Sequence, residues 1–194
     1  ISGNANTVCG FQAVYENVIG NNNTAMGYEA LRHNLGGNSN IAIGVNALWL
    51  NQNRSNLVAV GDSSLYSNGA NSTLIYHATK NTGLGSKTLF SNTNGYSNTA
   101  MGYNALYSNE TGYSNTANGN EALYKNTTGK SNTATGNESL YSNTTGNSNA
   151  SYGEKVLYTN TTGSSNTATG NEALFSNISG NANTVCGFQA VYEN

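Results

Sequence analysis

Apolar and polar positions along this chain repeat with a period of 17. Take one glycine per period as the phase marker: Gly10, Gly27, Gly44, Gly61, Gly85, Gly102, Gly119, Gly136, Gly153, Gly170 and Gly187. Every step is 17 residues except Gly61 to Gly85, which is 24, so one period carries seven extra residues. These glycines define coils 1 to 11, and positions are counted from them. Position +4 is aliphatic throughout: Val14, Leu31, Leu48, Leu65, Leu89, Leu106, Leu123, Leu140, Leu157, Leu174 and Val191. Position +5 is aromatic in ten of the eleven coils, with Arg32 the exception. Position +7 is always asparagine: Asn17, Asn34, Asn51, Asn68, Asn92, Asn109, Asn126, Asn143, Asn160, Asn177 and Asn194.

The consensus, Ser-Asn-Thr-Ala-x-Gly-x-x-Ala-Leu-Tyr-x-Asn-x-x-Gly-x, predicts local structure. Asn-Thr-Ala-x-Gly is a short strand with Thr and x on one face and Ala on the other. Asn-x-x-Gly is a turn. Ala-Leu-Tyr is either a second short strand or a single helical turn, because both periodicities fit so short a run. Seventeen residues cannot support themselves, but they suffice for one coil of a solenoid whose apolar positions stack on neighbouring coils. The expected fold is all-β, a parallel β-solenoid or β-roll of eleven coils, with or without a helical turn in each. At strand spacing the rod is roughly 50 Å long. The constant asparagine at +7 suggests an internal amide ladder; the plainer reading is that asparagine suits turns.

Residues 1–194 therefore read as a single rod: regular coils over 1–68, a region carrying the insertion over 69–84, and regular coils over 85–194. Residues 178–194 repeat residues 1–17 identically, at an offset of 177, which is ten coils plus the seven extra residues. The expectation is a slice of a longer fibre made of tandem 177-residue units, with uncapped strand edges that invite head-to-tail association.

Composition narrows the function. Charged residues make up 8% of the chain and the formal net charge is -2. Low charge with abundant small polar residues is compatible with disorder, but apolar residues at fixed phase argue for a packed chain. No basic stripe exists to neutralise phosphates, so nucleic acid is not an expected partner. No apolar run approaches the roughly 20 residues of a membrane span.

The segment Asn38-Ser39-Asn40-Ile41-Ala42-Ile43-Gly44, and Leu57-Val58-Ala59-Val60-Gly61 after it, resembles the Asn-Ser-Val-Ala-Ile-Gly signature in the heads of YadA-like trimeric autotransporter adhesins. The longer phrase from Asn98 to Asn109 resembles repeats of bacterial and phage tail-fibre-like proteins. Family head coils are about 14 residues, and most coils here place Thr where that family places Val. The resemblance implies an elongated, extracellular, cell-surface or virion protein, a trimeric homo-oligomer, and a cell-surface or matrix ligand.

Chemistry-bearing residues are scattered. Cys9 and Cys186 share one phase about ten coils apart, beyond disulfide reach, and are expected as buried small apolar residues or, secondarily, as interchain links. His33 is expected in an exposed loop. The insertion holds Asn71, Tyr76, His77 and Lys80, a possible recognition loop; the alternative is a surface bulge without a ligand. Glu29, Glu121, Glu138 and Glu172 share position +2, which marks an exposed column and not an acid–base pair. No His/Cys/Asp cluster has metal spacing, so neither a cofactor nor enzymatic activity is expected. Thr133/Thr135 and Thr167/Thr169 form Thr-x-Thr pairs of the kind that order water on ice-binding solenoids, but Ile41/Ile43, Val58/Val60 and Ala150/Tyr152 break the row. The expected function is a structural or adhesive fibre segment, with a virion tail-fibre shaft as the alternative and ice binding as a third reading.

Overall fold

A computed structural model of the chain describes residues 3–70, 72, 74 and 77–193. It is a parallel β-solenoid with one short strand per coil: β1 (Thr7–Cys9), β2 (Thr24–Met26), β3 (Ile41–Ile43), β4 (Val58–Val60), β5 (Thr82–Leu84), β6 (Thr99–Met101), β7 (Thr116–Asn118), β8 (Thr133–Thr135), β9 (Ala150–Tyr152), β10 (Thr167–Thr169) and β11 (Thr184–Cys186). These form a single sheet in sequence order. Every pairing joins equivalent positions, as in Thr116↔Thr133 and Ala117↔Ala134. The insertion does not disturb the register, since Val58 still faces Thr82.

Ala-Leu-Tyr is neither a second strand nor a helical turn; among the described residues there is no helix. The backbone there takes φ near +50° at +2 and again at +4, as at Glu121 (54°) and Leu123 (54°). Alternate peptide groups consequently point to opposite neighbours. Glu121 donates its N–H to Tyr103 of the coil before (2.9 Å), and Leu123 donates to Ser139 of the coil after (3.0 Å). A left-handed conformation costs a leucine about 1–2 kcal/mol. Full burial of its side chain returns about 1.5–3 kcal/mol, and the intercoil hydrogen bond adds to that. Sequence periodicity could not reveal this, because leucine carries no local preference for positive φ.

The marker glycine has a stricter role. At Gly136 φ is 130°, and a Cβ there would lie 2.3 Å from the carbonyl oxygen of Gly153. The glycine column is therefore a line of backbone contact between coils that no side chain can enter.

The core is thin and half polar. Strands β2 to β10 bury their central residue, usually Ala, against Ala and Leu at +3 and +4. Where one side shrinks, the other grows. Gly83 replaces the strand alanine of coil 5, and Thr88 fills the space from +3; a Cβ on Gly83 would meet Ser64 Oγ and Thr88 Oγ1 at 2.5 Å each. The hydroxyls introduced this way are paired between coils, Ser64 with Thr88 (2.7 Å) and Ser139 with Ser151.

Candidate functional site

The asparagines at +7 occupy the interior. Asn34, Asn92, Asn109, Asn126, Asn143 and Asn160 have no solvent exposure. Each side-chain amide nitrogen bridges two acceptors: Asn143 donates to Asn126 Oδ1 (2.8 Å) and to the Gly146 carbonyl (3.1 Å). Its own Oδ1 accepts from Asn160 one coil later (2.9 Å). A buried amide is costly unless bonded, and a constant period of 17 supplies the partner automatically. Asn109, Asn126, Asn143, Asn160 and Asn177 all lie in Asn-x-Ser/Thr sequences, but burial leaves no room for a glycan on them. Asn194 lies outside the described residues.

A second ladder was not singled out from the sequence. Asn23, Asn40, Asn81, Asn98, Asn115, Asn132, Asn149 and Asn166, at position −4, are also buried. Asn115 donates to the Gly129 carbonyl of the next coil (2.8 Å), and its Oδ1 accepts the Asn132 backbone N–H (3.0 Å). The signal was available: asparagine holds this phase in every coil except coil 4, where Leu57 stands. Beside a Thr-Ala strand it reads as a strand residue and not as a bridge between coils.

A third column consists of rings. From Trp49 through Tyr66, Phe90, Tyr107, Tyr124, Tyr141, Tyr158 and Phe175 to Tyr192, successive +5 rings stack with centroids 4.8–5.2 Å apart. Arg32, the exception in sequence, keeps the column occupied by placing its guanidinium 5.6 Å from the Tyr15 ring. Burial, together with neighbouring phenols and carboxylates, raises the hydroxyl pKa of Tyr124 and Tyr141 above the ordinary tyrosine value.

The stack changes character around the insertion. Asn68 reaches the Ala78 carbonyl (2.8 Å), where a regular asparagine bonds the carbonyl three residues on. The seven extra residues therefore lie between Asn68 and Ala78. Coil 4 also departs at both flanks of its turn, with Arg54 in the usual glycine site and Leu57 in the −4 site. Arg54 is buried and donates to the Ser72 carbonyl (2.7 Å), beneath Gly69, and burial lowers its pKa. Here the +7 ladder is interrupted: Asn51 Oδ1 has no partner among the described residues, whereas Asn92 resumes the chain of bonds by donating to Asn68 Oδ1 (2.8 Å). Of the suggested recognition loop, Asn71 and Tyr76 lie outside the described residues. His77 is half-buried with its ring 6.5 Å from that of Tyr96, and Lys80 is exposed.

Three expectations are corrected. Cys9 and Cys186 are exposed, not buried, because they are third residues of their strands and point outward. His33 is not a free loop residue; its Nδ1 lies 2.6 Å from Glu16 Oε2 and its ring meets Trp49 edge-on. The +2 glutamates are half-buried and held between coils. Glu29 accepts from Trp49 Nε1 (2.9 Å) and from Arg32 (2.5 Å), contacts that hold its carboxyl below the usual carboxylate range despite some desolvation. Glu172 accepts from Gln189 (2.8 Å), and Glu138 lies 3.7 Å from Lys155. These carboxylates are spaced along the rod and already engaged.

No helix among the described residues is long and apolar enough to cross a membrane. No protein-family model, curated protein or solved structure matches the chain.

Proposed function

We propose that this chain is a structural and adhesive, non-enzymatic segment of a long extracellular or cell-surface fibre built from tandem 177-residue units. The observation that carries the reading is axial continuity. Backbone pairing, two asparagine ladders and a ring stack all run along the rod, so each coil is stabilised by its neighbours and by little else. The last coil has the sequence of the first and pairs with coil 10 in the common register, Thr167↔Thr184. The same bonds that join successive coils can join successive units, whether covalently continuous or associated head to tail. Resemblance to YadA-like heads and to tail-fibre repeats supports placement outside the cell, assembly of several chains, and contact with a cell-surface or matrix ligand.

The test is the shape of the purified chain and of a longer chain carrying two 177-residue units in tandem. Small-angle scattering and electron microscopy should give rods whose length doubles with the second unit at constant cross-section. Compact particles, or a second unit that folds beside the first, would overturn the reading.

A further inference from the structure

The outward face of the sheet is divided along the rod. The third residue of each strand forms its central column. Over coils 1–6 this column reads Cys9, Met26, Ile43, Val60, Leu84 and Met101; over coils 7–10 it reads Asn118, Thr135, Tyr152 and Thr169. The apolar stretch is open to solvent: Met26 is 44% exposed, Ile43 36%, Leu84 38% and Met101 37%. Position +1 beside it is apolar or aromatic in four of the first six coils, with Phe11, Tyr28, Val45 and Tyr103 exposed and Asp62 and Ser86 between them, and polar in the next four, at Asn120, Asn137, Glu154 and Asn171. Cys186 and Phe188 then restart the apolar pattern in coil 11.

We propose that this apolar half-face is where a second copy of the same chain docks, side by side, parallel and in register. The proposal rests on the fibre reading and adds its lateral contact. Three features favour a second copy as the occupant. The first is area. With the −3 column of Thr7, Thr24, Ile41, Val58, Thr82 and Thr99 on the other side of the central one, three columns about 7 Å apart over six strands at about 4.8 Å cover on the order of 500 Å² per copy. Two copies then bury on the order of 1,000 Å², the lower bound of a specific interface. The second is charge. Asp62, at the rim in position +1, is the single ionisable carboxylate on the patch, so two identical faces meet almost without repulsion. The third is geometry. A two-fold axis along the rod lays the central column on itself: Ile43 on Ile43, Leu84 on Leu84. It sends Asp62 towards the −3 column, against Val58 and away from its own counterpart. An antiparallel arrangement centred on coil 6 would instead set the apolar half against the polar half.

Sedimentation equilibrium of the whole chain tests this. The expected result is a dimer whose self-association weakens at least tenfold in Ile43→Lys and in Leu84→Lys, with unchanged circular dichroism. Thr135→Lys, the equivalent change on the polar half, should leave the mass unchanged. Cross-linking supplies an arm independent of those folding. With a bis-maleimide short enough to span the ~10 Å between packed sheets, both Cys186→Ser (leaving Cys9) and Cys9→Ser (leaving Cys186) should give covalent dimers. A monomer at all concentrations, a dimer unaffected by Ile43→Lys, or cross-links that require both cysteines would overturn the proposal. An elongated monomer, or a dimer of doubled length, would do so while leaving the fibre reading intact; compact particles would overturn both.

Discussion

Asn126 donates its side-chain amide to Oδ1 of Asn109, one coil earlier, at 2.8 Å, and to the Gly129 carbonyl three residues on at 3.0 Å. The pair closes a turn and joins two coils with one side chain. Replacing Asn126 by Ala removes both bonds, leaves Asn109 Oδ1 buried without its donor, and takes one of the two acceptors from Asn143, while the Gly129 carbonyl keeps the bond from Asn115. At about 1–3 kcal/mol for a buried group left unsatisfied, the loss of stability should be about 1–3 kcal/mol. Urea unfolding measures it, and hydrogen exchange should place the greatest loss of protection in coils 6–8. A change below about 0.5 kcal/mol would show that solvent reaches the ladder.

Leu123 tests the other side of the core. Leu123→Ala should cost about 2–5 kcal/mol, as for other fully buried leucines. Leu123→Asp should be worse, because it buries a carboxylate with no cation beside it. Limited proteolysis should cut near coil 7 before coils distant from it. Thermal unfolding identical to wild type in Leu123→Asp would contradict core placement.

Gly83 and Thr88 give a test of compensation. Gly83→Ala alone drives a methyl group against Ser64 and Thr88 and should destabilise by about 1–3 kcal/mol, the usual range for overpacking. Combining it with Ser64→Ala and Thr88→Ala restores the alanine pattern of the regular coils and should recover most of that loss. Thermal melts of the single and combined variants suffice. Additive losses would mean that the side chains do not share one space.

Glu29 provides a pH dependence. Its folded pKa is lowered, chiefly by the Trp49 hydrogen bond and by Arg32. Its contribution to stability is therefore fully present above the ordinary carboxylate pKa of about 4.3 and is lost as pH falls through the lowered value. Trp49 is the single tryptophan of the chain. Its fluorescence should titrate with a midpoint below the ordinary glutamate value and become flat in Glu29→Gln. A midpoint at or above that value would contradict the contact.

The sequence by itself determined the repeat, the parallel solenoid, the inward leucines and the phase of the asparagine ladder. Each is a same-position property: residues 17 apart become neighbours in any stack of identical coils, so one spacing settles both what is buried and what it touches. The insertion was equally legible as a change of period. Tertiary structure alone decided the conformation of Ala-Leu-Tyr, because positive φ at Leu123 is held by bonds to the coils on either side and not by local preference. It also decided that the −4 asparagines form a second ladder, since their acceptors lie 14 residues ahead in the next coil, as with Asn115 and Gly129. The cysteines turned on the smallest detail. Cys9 looks like a core residue by type, but it is one step along the strand from the inward position, and the pleat turns that step outward. Side-chain direction along a three-residue strand depends on which neighbour meets the core, and only the packed coil fixes that.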